Sequence, residues 1–292
     1  MLNPLKHITC KEKKVSVEQP IVMGILNLTP DSFFDGGQYK TEANILKQVE
    51  KMLEEGATII DIGAMSSRPG AIEILAKEEW NRLKKPIQII LKEFPEAILS
   101  IDTYRSEIAR KVIAEGAAII NDISGGVLDE KMFNTIANLK VPYIMMHMKG
   151  TPDNMQQSPE YQDVTLEIFD WFTPRIVKLK ELGATEIIID PGFGFGKTIA
   201  HNYELLQKLH VFNIHDLPIL AGLSRKSMIY KVLETTPQDA LNGTSVLHFV
   251  ALQQGVKILR VHDVKEAKQT IKLYHTINEH NRNQPDLSLI HI

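Results

Sequence analysis

One short pattern occurs four times in this chain and restricts the folds that the chain can adopt. Each copy is a glycine that follows a helix-like stretch and precedes a short apolar run ending in a polar residue. The copies are Gly56–Asp61, Gly116–Asp122, Gly183–Asp190 and Gly255–Arg260. Glycine readily adopts the left-handed conformation that ends many helices, and short β-branched runs are typical of parallel strands buried on both faces. The pattern therefore predicts a repeated helix–turn–strand unit.

Four further apolar runs bring the number of predicted strands to eight. They are Ile21–Leu26, Ala97–Ile101, Val141–Met146 and Leu217–Ala221, and amphipathic segments of helical length lie between them. A length of 292 residues alone would permit two domains. Eight strand–helix units over about 260 residues instead predict an α/β fold, a single (β/α)8 TIM barrel spanning residues 21–280. A doubly wound open sheet is the structural alternative.

The two ends of the chain are predicted to lie outside the barrel. Residues 1–20 contain two short apolar stretches around a charged turn, which predicts a β-ribbon that caps the barrel floor. The expected pairing places Ile8 and Cys10 opposite Val15 and Val17 across Lys11–Lys14. Residues 281–292 are assigned to a C-terminal tail.

Composition excludes several classes of protein. The 33 basic and 36 acidic residues give a net charge of −3 without a strongly basic run, which argues against general nucleic-acid binding. No window approaches the roughly 20 apolar residues of a membrane span. The single cysteine, Cys10, cannot form an internal disulfide and cannot supply a zinc site that needs two thiolates. We therefore expect a cytoplasmic protein with no membrane partner.

The predicted strand ends are unusually polar. In a TIM barrel the loops at the carboxyl ends of the strands form the active site. These positions hold Asn27, Asp61, Asp102, Asn121, Asp122, Asp190, Lys226, Arg260 and His262, with Ser67 and Arg68 shortly after strand two. Any one of them could simply cap a loop or face solvent. Their convergence on one rim predicts a ligand site that includes an anion-binding part.

Three loops have a composition that bears on the ligand. Thr29–Gly37 carries two phenylalanines and two carboxylates and is predicted to be a lid. Pro191–Thr198 nearly matches a phosphate-binding loop, but the first glycine of that motif is replaced by Pro191, which argues against a nucleotide site. Phe195 in this loop is instead predicted to be a flat wall for an aromatic ligand. Ser224 is predicted to cap a helix whose first turn holds Lys226 and Ser227.

Ten motifs occur in a fixed order at these strand ends. They are Met23–Phe33, Asp35–Gly37, Asp61–Gly63, Ser67–Gly70, Ser100–Arg105, Ile120–Gly126, Met146–Met148, Asp190–Lys197, Ser224–Ser227 and Arg260–Asp263. Together they resemble the dihydropteroate synthase family over about residues 21–262. The resemblance implies condensation of 6-hydroxymethyl-7,8-dihydropterin diphosphate with 4-aminobenzoate, assisted by Mg²⁺, by a dissociative mechanism in which diphosphate leaves first.

The resemblance also implies a role for individual residues. The pterin would be held by Asp102, Asn121, Met146, Asp190, Lys226 and Arg260. Diphosphate would contact Asn27, Ser67, Arg68, Arg260 and His262. Aminobenzoate would lie among Phe33, Ser67, Pro69, Phe195, Lys226 and Ser227. The metal would be bound by Asn27 and Asp35, and the catalytic residues would be Asp102, Lys226, Arg260 and Asp35.

One departure and two alternatives accompany this interpretation. Many family members have Gly-Glu-Ser-Thr where this chain has Ala64–Ser67, so that Met65 replaces a carboxylate. A pterin-dependent methyltransferase and a non-catalytic pterin-binding barrel are the functional alternatives, and the first of them would need no diphosphate site.

The apolar helix predicted over Ala240–Leu252 has few polar positions, which favours a homodimer.

Overall fold

The computed structural model describes residues 5–28, 42–65, 74–151, 155 and 159–282. Within these residues the strands are β1 (His7–Cys10), β2 (Lys13–Ser16), β3 (Ile21–Asn27), β4 (Ile59–Gly63), β5 (Leu99–Asp102), β6 (Ile119–Asp122), β7 (Tyr143–Met146), β8 (Ile187–Asp190), β9 (Leu220–Ala221) and β10 (Ile258–Val261). The α-helices are α1 (Glu42–Glu54), α2 (Ala76–Glu93), α3 (Ser106–Ala114), α4 (Met132–Leu139), α5 (Val164–Glu181), α6 (Ile199–Gln207), α7 (Ser227–Tyr230), α8 (Leu241–Gln253) and α9 (Val264–Arg282).

Strands β3 to β10 form the predicted TIM barrel. They are parallel and hydrogen-bonded in the order β8-β7-β6-β5-β4-β3-β10-β9. The Ile189 amide in β8 donates to the Pro218 carbonyl just before β9 at 3.0 Å, which brings the two ends of the sheet together. A doubly wound sheet would reverse its strand order in the middle, so this alternative is wrong. Strand β9, the last in this order, has two residues rather than the five predicted. Pro218, within the predicted range, has no amide hydrogen to donate to a neighbouring strand.

The four repeated glycines end α1, α3, α5 and α8 with the same geometry. Each has a positive φ, from 92° to 105°. At Gly56 the glycine amide donates to the carbonyl three residues earlier at 3.0 Å, and the next amide donates five residues back at 2.9 Å. The other three glycines make the same pair of bonds. These bonds satisfy the carbonyls at the helix ends and turn the chain into the next strand.

The predicted N-terminal ribbon is present beneath the barrel. Strands β1 and β2 pair antiparallel with Ile8 opposite Val15, but Cys10 lies opposite Lys13, so the turn is shorter than predicted. Ile8 and Cys10 are buried in one apolar cluster with Met23, Ile59 and other residues of the barrel interior. At the other end of the chain, α9 continues to Arg282. No helix in the described part of the chain is long and apolar enough to cross a membrane.

We predict that the ribbon contributes directly to stability through Ile8, which is fully buried against the barrel interior. Ile8→Ala should lower the free energy of unfolding by about 2–4 kcal/mol, because the substitution removes buried methyl groups and leaves a cavity. Urea denaturation measures the change. His7→Ala, at the exposed neighbouring position, is the control and should change it by less than about 0.5 kcal/mol. Equal effects of the two substitutions would show that the ribbon does not support the barrel.

Candidate functional site

A partly buried arginine between two carboxylates lies at the centre of the strand-end rim. Arg260 on β10 donates from Nε to Asp61 Oδ2 at 2.7 Å and from Nη2 to Asp102 Oδ2 at 3.3 Å. Asn121 on β6 donates from Nδ2 to the same Asp61 oxygen at 3.1 Å. Strands β4, β5, β6 and β10 thus each contribute one polar side chain to a single network. The remaining donors of Arg260, on Nη1 and Nη2, have no partner among the described residues.

Burial controls the charges of this network. Burial raises the pKa of Asp102 to about 7, the positive charge of Arg260 opposes this shift, and Asp61 reinforces it. The pKa of Arg260 is raised because the attraction of Asp61 and Asp102 outweighs the cost of burying its charge. Arg260 is therefore cationic, whereas Asp102 lies close to the midpoint of its titration at neutral pH.

A second group of ionisable residues, Lys226 and Asp190, lies on the opposite side of the barrel axis from β4. Lys226 Nζ donates to the carbonyl of Phe193 and lies 4.8 Å from the ring centroid of Phe195. Burial lowers the pKa of Lys226 to about 8, although nearby Asp190 favours the charged form. Burial likewise raises the pKa of Asp190, against the attraction of Lys226. One oxygen of Asp190 accepts from the Gly192 amide at 2.8 Å.

Lys197 stabilises the conformation of the glycine-rich loop, Pro191–Thr198, to which it belongs. It is buried, and its Nζ donates to the carbonyls of Gly192 at 2.8 Å and Phe195 at 3.0 Å. Nζ also lies 3.1 Å from His147 Nδ1. A Cβ on Gly192, whose φ is +72°, would lie 2.0 Å from the His147 carbonyl oxygen. Lys197 is thus committed to the loop itself, which agrees with the expectation that this loop is not a nucleotide-binding loop.

An apolar surface adjoins the charged groups. Met146 packs with Ile123, Met148 and Met155 in a small buried cluster, and Phe195 lies against it. The Phe195 ring therefore has the apolar cluster on one side and the Lys226 ammonium nearby. Such a surface suits a flat heteroaromatic or aromatic ligand.

The loop that follows β9 is attached to the loop that follows β10. Ser224 Oγ lies 3.0 Å from His262 Nδ1 and accepts from the His262 amide at 3.2 Å. Arg225, with φ +55°, makes two 2.8 Å bonds to the carboxylate of Asp263. The prediction that Ser224 caps a helix is wrong. Helix α7 begins at Ser227 with Lys226 at the N-cap, because Arg225 has a left-handed φ of +55° that a helix starting after Ser224 could not contain. The Ser224 hydroxyl is used by His262.

Comparison with known proteins identifies the family. The family model described as pterin binding enzyme matches residues 23–262. The chain is 40% identical over 261 residues to the dihydropteroate synthase of Escherichia coli strain K12, covering 89% of this chain and 92% of that protein. The chain belongs to the dihydropteroate synthase family.

Solved structures of dihydropteroate synthases have the same fold. The Yersinia pestis enzyme in complex with a sulfonamide drug has a TM-score of 0.88 at 38% identity, covering 94% of this chain and 99% of that chain. The Xanthomonas albilineans enzyme with 4-aminobenzoic acid has a TM-score of 0.87 at 34% identity, covering 96% and 99%. Another structure of that enzyme, in complex with 7,8-dihydropteroate, has a TM-score of 0.83 at 32% identity, covering 96% and 100%.

The structure brings together most of the predicted site residues and leaves others outside its described part. Asp102, Asn121, Met146, Asp190, Lys226, Arg260, Asn27, His262, Phe195 and Ser227 all follow or end barrel strands at the same rim. Phe33, Asp35, Ser67, Arg68 and Pro69, with all of the predicted lid and all of the Ser-Arg-Pro-Gly loop, lie outside the described residues.

The second loop is described at its two borders. Arg105, at the start of α3, donates to Met65 Sδ at 3.1 Å and to the carbonyl of Ile74 at 2.8 Å. Arg105 also pairs with fully buried Glu79. At Met65, where the family resemblance led us to expect a carboxylate, the arginine thus meets a thioether sulfur.

Sequence reasoning missed how three residues are used. Asp61 stood among the strand-end carboxylates but received no role, although it joins Arg260 to Asn121. Lys197 and Arg225 belong to loop motifs; Lys197 is bound to carbonyls of its own loop, and Arg225 to the carboxylate of Asp263. No spacing in the sequence indicates the partners of Asp61 and Arg225, because those contacts join residues that are far apart in the chain and are brought together by the barrel.

We predict that Asp102 titrates near neutral pH. Its carboxyl carbon, followed by ¹³C NMR in aspartate-labelled protein, should show a midpoint of about 7, because burial disfavours the charged form. Arg260→Gln should move the midpoint upward, since the guanidinium favours the ionised carboxylate. Asp170→Asn, which alters an exposed carboxylate on α5, is the control and should leave the midpoint unchanged. A midpoint below pH 5 in the unaltered protein would contradict the prediction.

Proposed function

We propose that this chain joins 6-hydroxymethyl-7,8-dihydropterin diphosphate to 4-aminobenzoate, forming 7,8-dihydropteroate and diphosphate in folate synthesis. The observation that carries the proposal is the placement of cationic Arg260 and Lys226 beside Asp102, Asn121 and Asp190 on one barrel rim. The family assignment and the 4-aminobenzoic acid and dihydropteroate complexes of the Xanthomonas relative support it.

The carboxylates and the amide suit a pterin. The pyrimidine ring of a pterin presents a guanidine-like edge of N–H donors. Ionised carboxylates accept hydrogen bonds from such donors. Asp102, Asn121 and Asp190 would bind this edge and the ring nitrogens, while Lys226 would donate to a ring acceptor. Met146 and Arg260 would lie against the two ring faces. The apolar cluster that includes Met146 would pack against one face of the ring.

Aminobenzoate would occupy the surface beside the pterin. The Phe195 ring would pack against the ring of aminobenzoate. The Lys226 ammonium lies near Phe195 and would contact both substrates. Ser227, at the start of α7, would bind the carboxylate. The contributions expected from Phe33, Ser67 and Pro69 are part of the same proposal.

Diphosphate would lie on the side formed by β10 and β3. Arg260 has donors to spare. His262 Nδ1 faces Ser224, and Nε2 has no hydrogen-bond partner among the described residues. Partial burial of the His262 ring and the nearby Arg260 charge lower the pKa of the histidine, so the free ring is neutral at pH 7. An anion beside the ring would favour its protonation. Asn27, Ser67 and Arg68 would complete the site.

We propose that Mg²⁺ binds on this side with few protein ligands. Among the described residues no group of three histidine, cysteine or carboxylate side chains is arranged to hold a metal. Mg²⁺ commonly uses few protein oxygens and takes its other ligands from substrate phosphates and water. Asn27 at the end of β3 and Asp35 would hold it, together with diphosphate oxygens. When bound, the ion would neutralise charge on the leaving group.

The proposed mechanism needs no covalent nucleophile. The C–O bond to diphosphate breaks, and its electron pair leaves with the diphosphate, which Arg260 stabilises. The resulting pterin methylene cation is stabilised by the nearby Asp102 carboxylate. The amine nitrogen of aminobenzoate then forms the C–N bond and releases one proton to solvent. Lys226 and Phe195 hold the two substrates in line for this attack.

One assay tests the proposed function. Purified protein with both substrates and Mg²⁺ should release diphosphate and form dihydropteroate in equal amounts. Lys226→Ala should reduce kcat/KM for each substrate by about 10- to 100-fold, because it removes a charged donor from a buried site. Lys231→Ala, at an exposed position beyond α7, is the matched control and should be unaffected. Absence of product above the uncatalysed background would refute the proposal.

We also propose a cytoplasmic homodimer. The buried, unpaired thiol of Cys10 supports a reducing compartment. The neighbouring helices α8 and α9 expose Val246, Leu273 and Ile277, each about half or more exposed, which supports an apolar contact between two copies.

Light scattering tests the homodimer. It should give about twice the 33.0 kDa chain mass, and Val246→Glu combined with Leu273→Glu should reduce this to one chain by placing charges in the apolar contact. Leu166→Glu, which alters an equally exposed leucine on α5, should leave the dimer intact. A single-chain mass for the unaltered protein would refute the homodimer.

A further inference from the structure

Asp61 is the one carboxylate of the central network that the proposed chemistry leaves without a role. It is fully buried, whereas the side chains of Arg260 and Asp102 retain 21% and 14% of their exposure. Asp61 therefore lies behind the residues that face the barrel opening. A ligand that enters from the rim meets Arg260 and Asp102 first.

A single oxygen of Asp61 makes both of its hydrogen bonds. Oδ2 accepts from Arg260 Nε at 2.7 Å and from Asn121 Nδ2 at 3.1 Å. The bond to Nε fixes the plane of the guanidinium and directs its Nη1 donors away from Asp61. The bond to Asn121 fixes the amide relative to that guanidinium. Side chains from β6 and β10 are thus oriented by one atom on β4.

The other oxygen of Asp61 indicates that the residue is not there for stability. Oδ1 is buried and has no hydrogen-bond partner among the described residues. An unpaired buried polar atom costs stability, and a buried ion pair often adds little in compensation. A buried carboxylate that lowers stability in this way is best explained by its effect on its two partners, whose orientation it fixes.

We propose that Asp61 is a positioning residue, which holds Arg260 and Asn121 in the orientation that receives the pterin diphosphate and does not itself contact the substrate. This inference rests on the proposed function for the identity of the substrate. It predicts that the effect of Asp61 on catalysis passes entirely through its two partners.

A double-mutant cycle tests this proposal. Asp61→Asn preserves the size of the side chain but weakens its bond to the guanidinium, so kcat/KM for the pterin diphosphate should fall by about 10- to 100-fold. In an Arg260→Lys background the same change should cost less than about threefold, because the guanidinium geometry is already lost and only the bond to Asn121 remains for Asp61 to maintain. The KM for aminobenzoate at saturating pterin diphosphate should change by less than about twofold, since Asp61 does not touch that side of the site.

A matched control separates positioning from general support. Asp122→Asn alters another buried strand-end carboxylate, whose bonds go to Tyr143 and Ser124. Its effects should add to those of Arg260→Lys, whereas those of Asp61→Asn should not. Additive effects of Asp61→Asn, or a change confined to the aminobenzoate KM, would overturn the proposal.

Two further measurements keep the test decisive. Asp61→Glu retains the charge but displaces the carboxylate by one methylene, and it replaces Asp61→Asn in the cycle if the latter does not fold. It should be impaired, and full activity of this variant would overturn the positioning role. A second double-mutant cycle combines Asp61→Asn with Asn121→Ala. Its readout is the equilibrium binding of 6-hydroxymethylpterin, followed by fluorescence, which needs no turnover. If the unaltered protein binds this pterin but forms no product, the proposed function fails. The binding measurements then still test whether Asp61 positions its two partners.

Discussion

The site depends on one buried positive charge. Arg260 is held by two carboxylates from β4 and β5, and removal of a charge from water is tolerated only where such partners are fixed in place. The barrel supplies that fixation, because neighbouring parallel strands bring their carboxyl ends to the same edge. The guanidinium then keeps unused donors at the opening, in surroundings where burial strengthens its attraction for an anion.

The same burial explains the unusual titration of the groups around it. Desolvation raises the pKa of Asp102 and Asp190 and lowers that of Lys226. Three carboxylates, Asp61, Asp102 and Asp190, thus share one small space with the two cations Arg260 and Lys226. The overall charge of −3 describes the whole surface and says little about this rim. A mildly acidic protein can therefore present the unused donors of a cationic arginine to a diphosphate.

Supporting contacts shape the loops that carry the reacting groups. Lys197 binds carbonyls of the glycine-rich loop from the core side, and Lys226 binds the Phe193 carbonyl from the ligand side. Arg225 and Ser224 attach the β9 loop to Asp263 and His262. These contacts connect the part of the site that would hold aminobenzoate to the part that would hold diphosphate. Loops bound in this way lose less entropy when a ligand orders them.

The strand–helix units of the barrel could be predicted from the sequence, because each glycine-led repeat specifies a local event that needs no distant partner: a helix ends in a left-handed residue and a buried strand follows. The ordered motifs also located the strand-end residues. Which of these residues meet is set by the folded barrel. The link from Asp61 to Arg260 spans 199 residues, and the Ser224 hydroxyl serves His262 rather than a helix. Such pairings follow from the closure of the sheet, which places distant strand ends side by side and is not encoded in the spacing of any one segment.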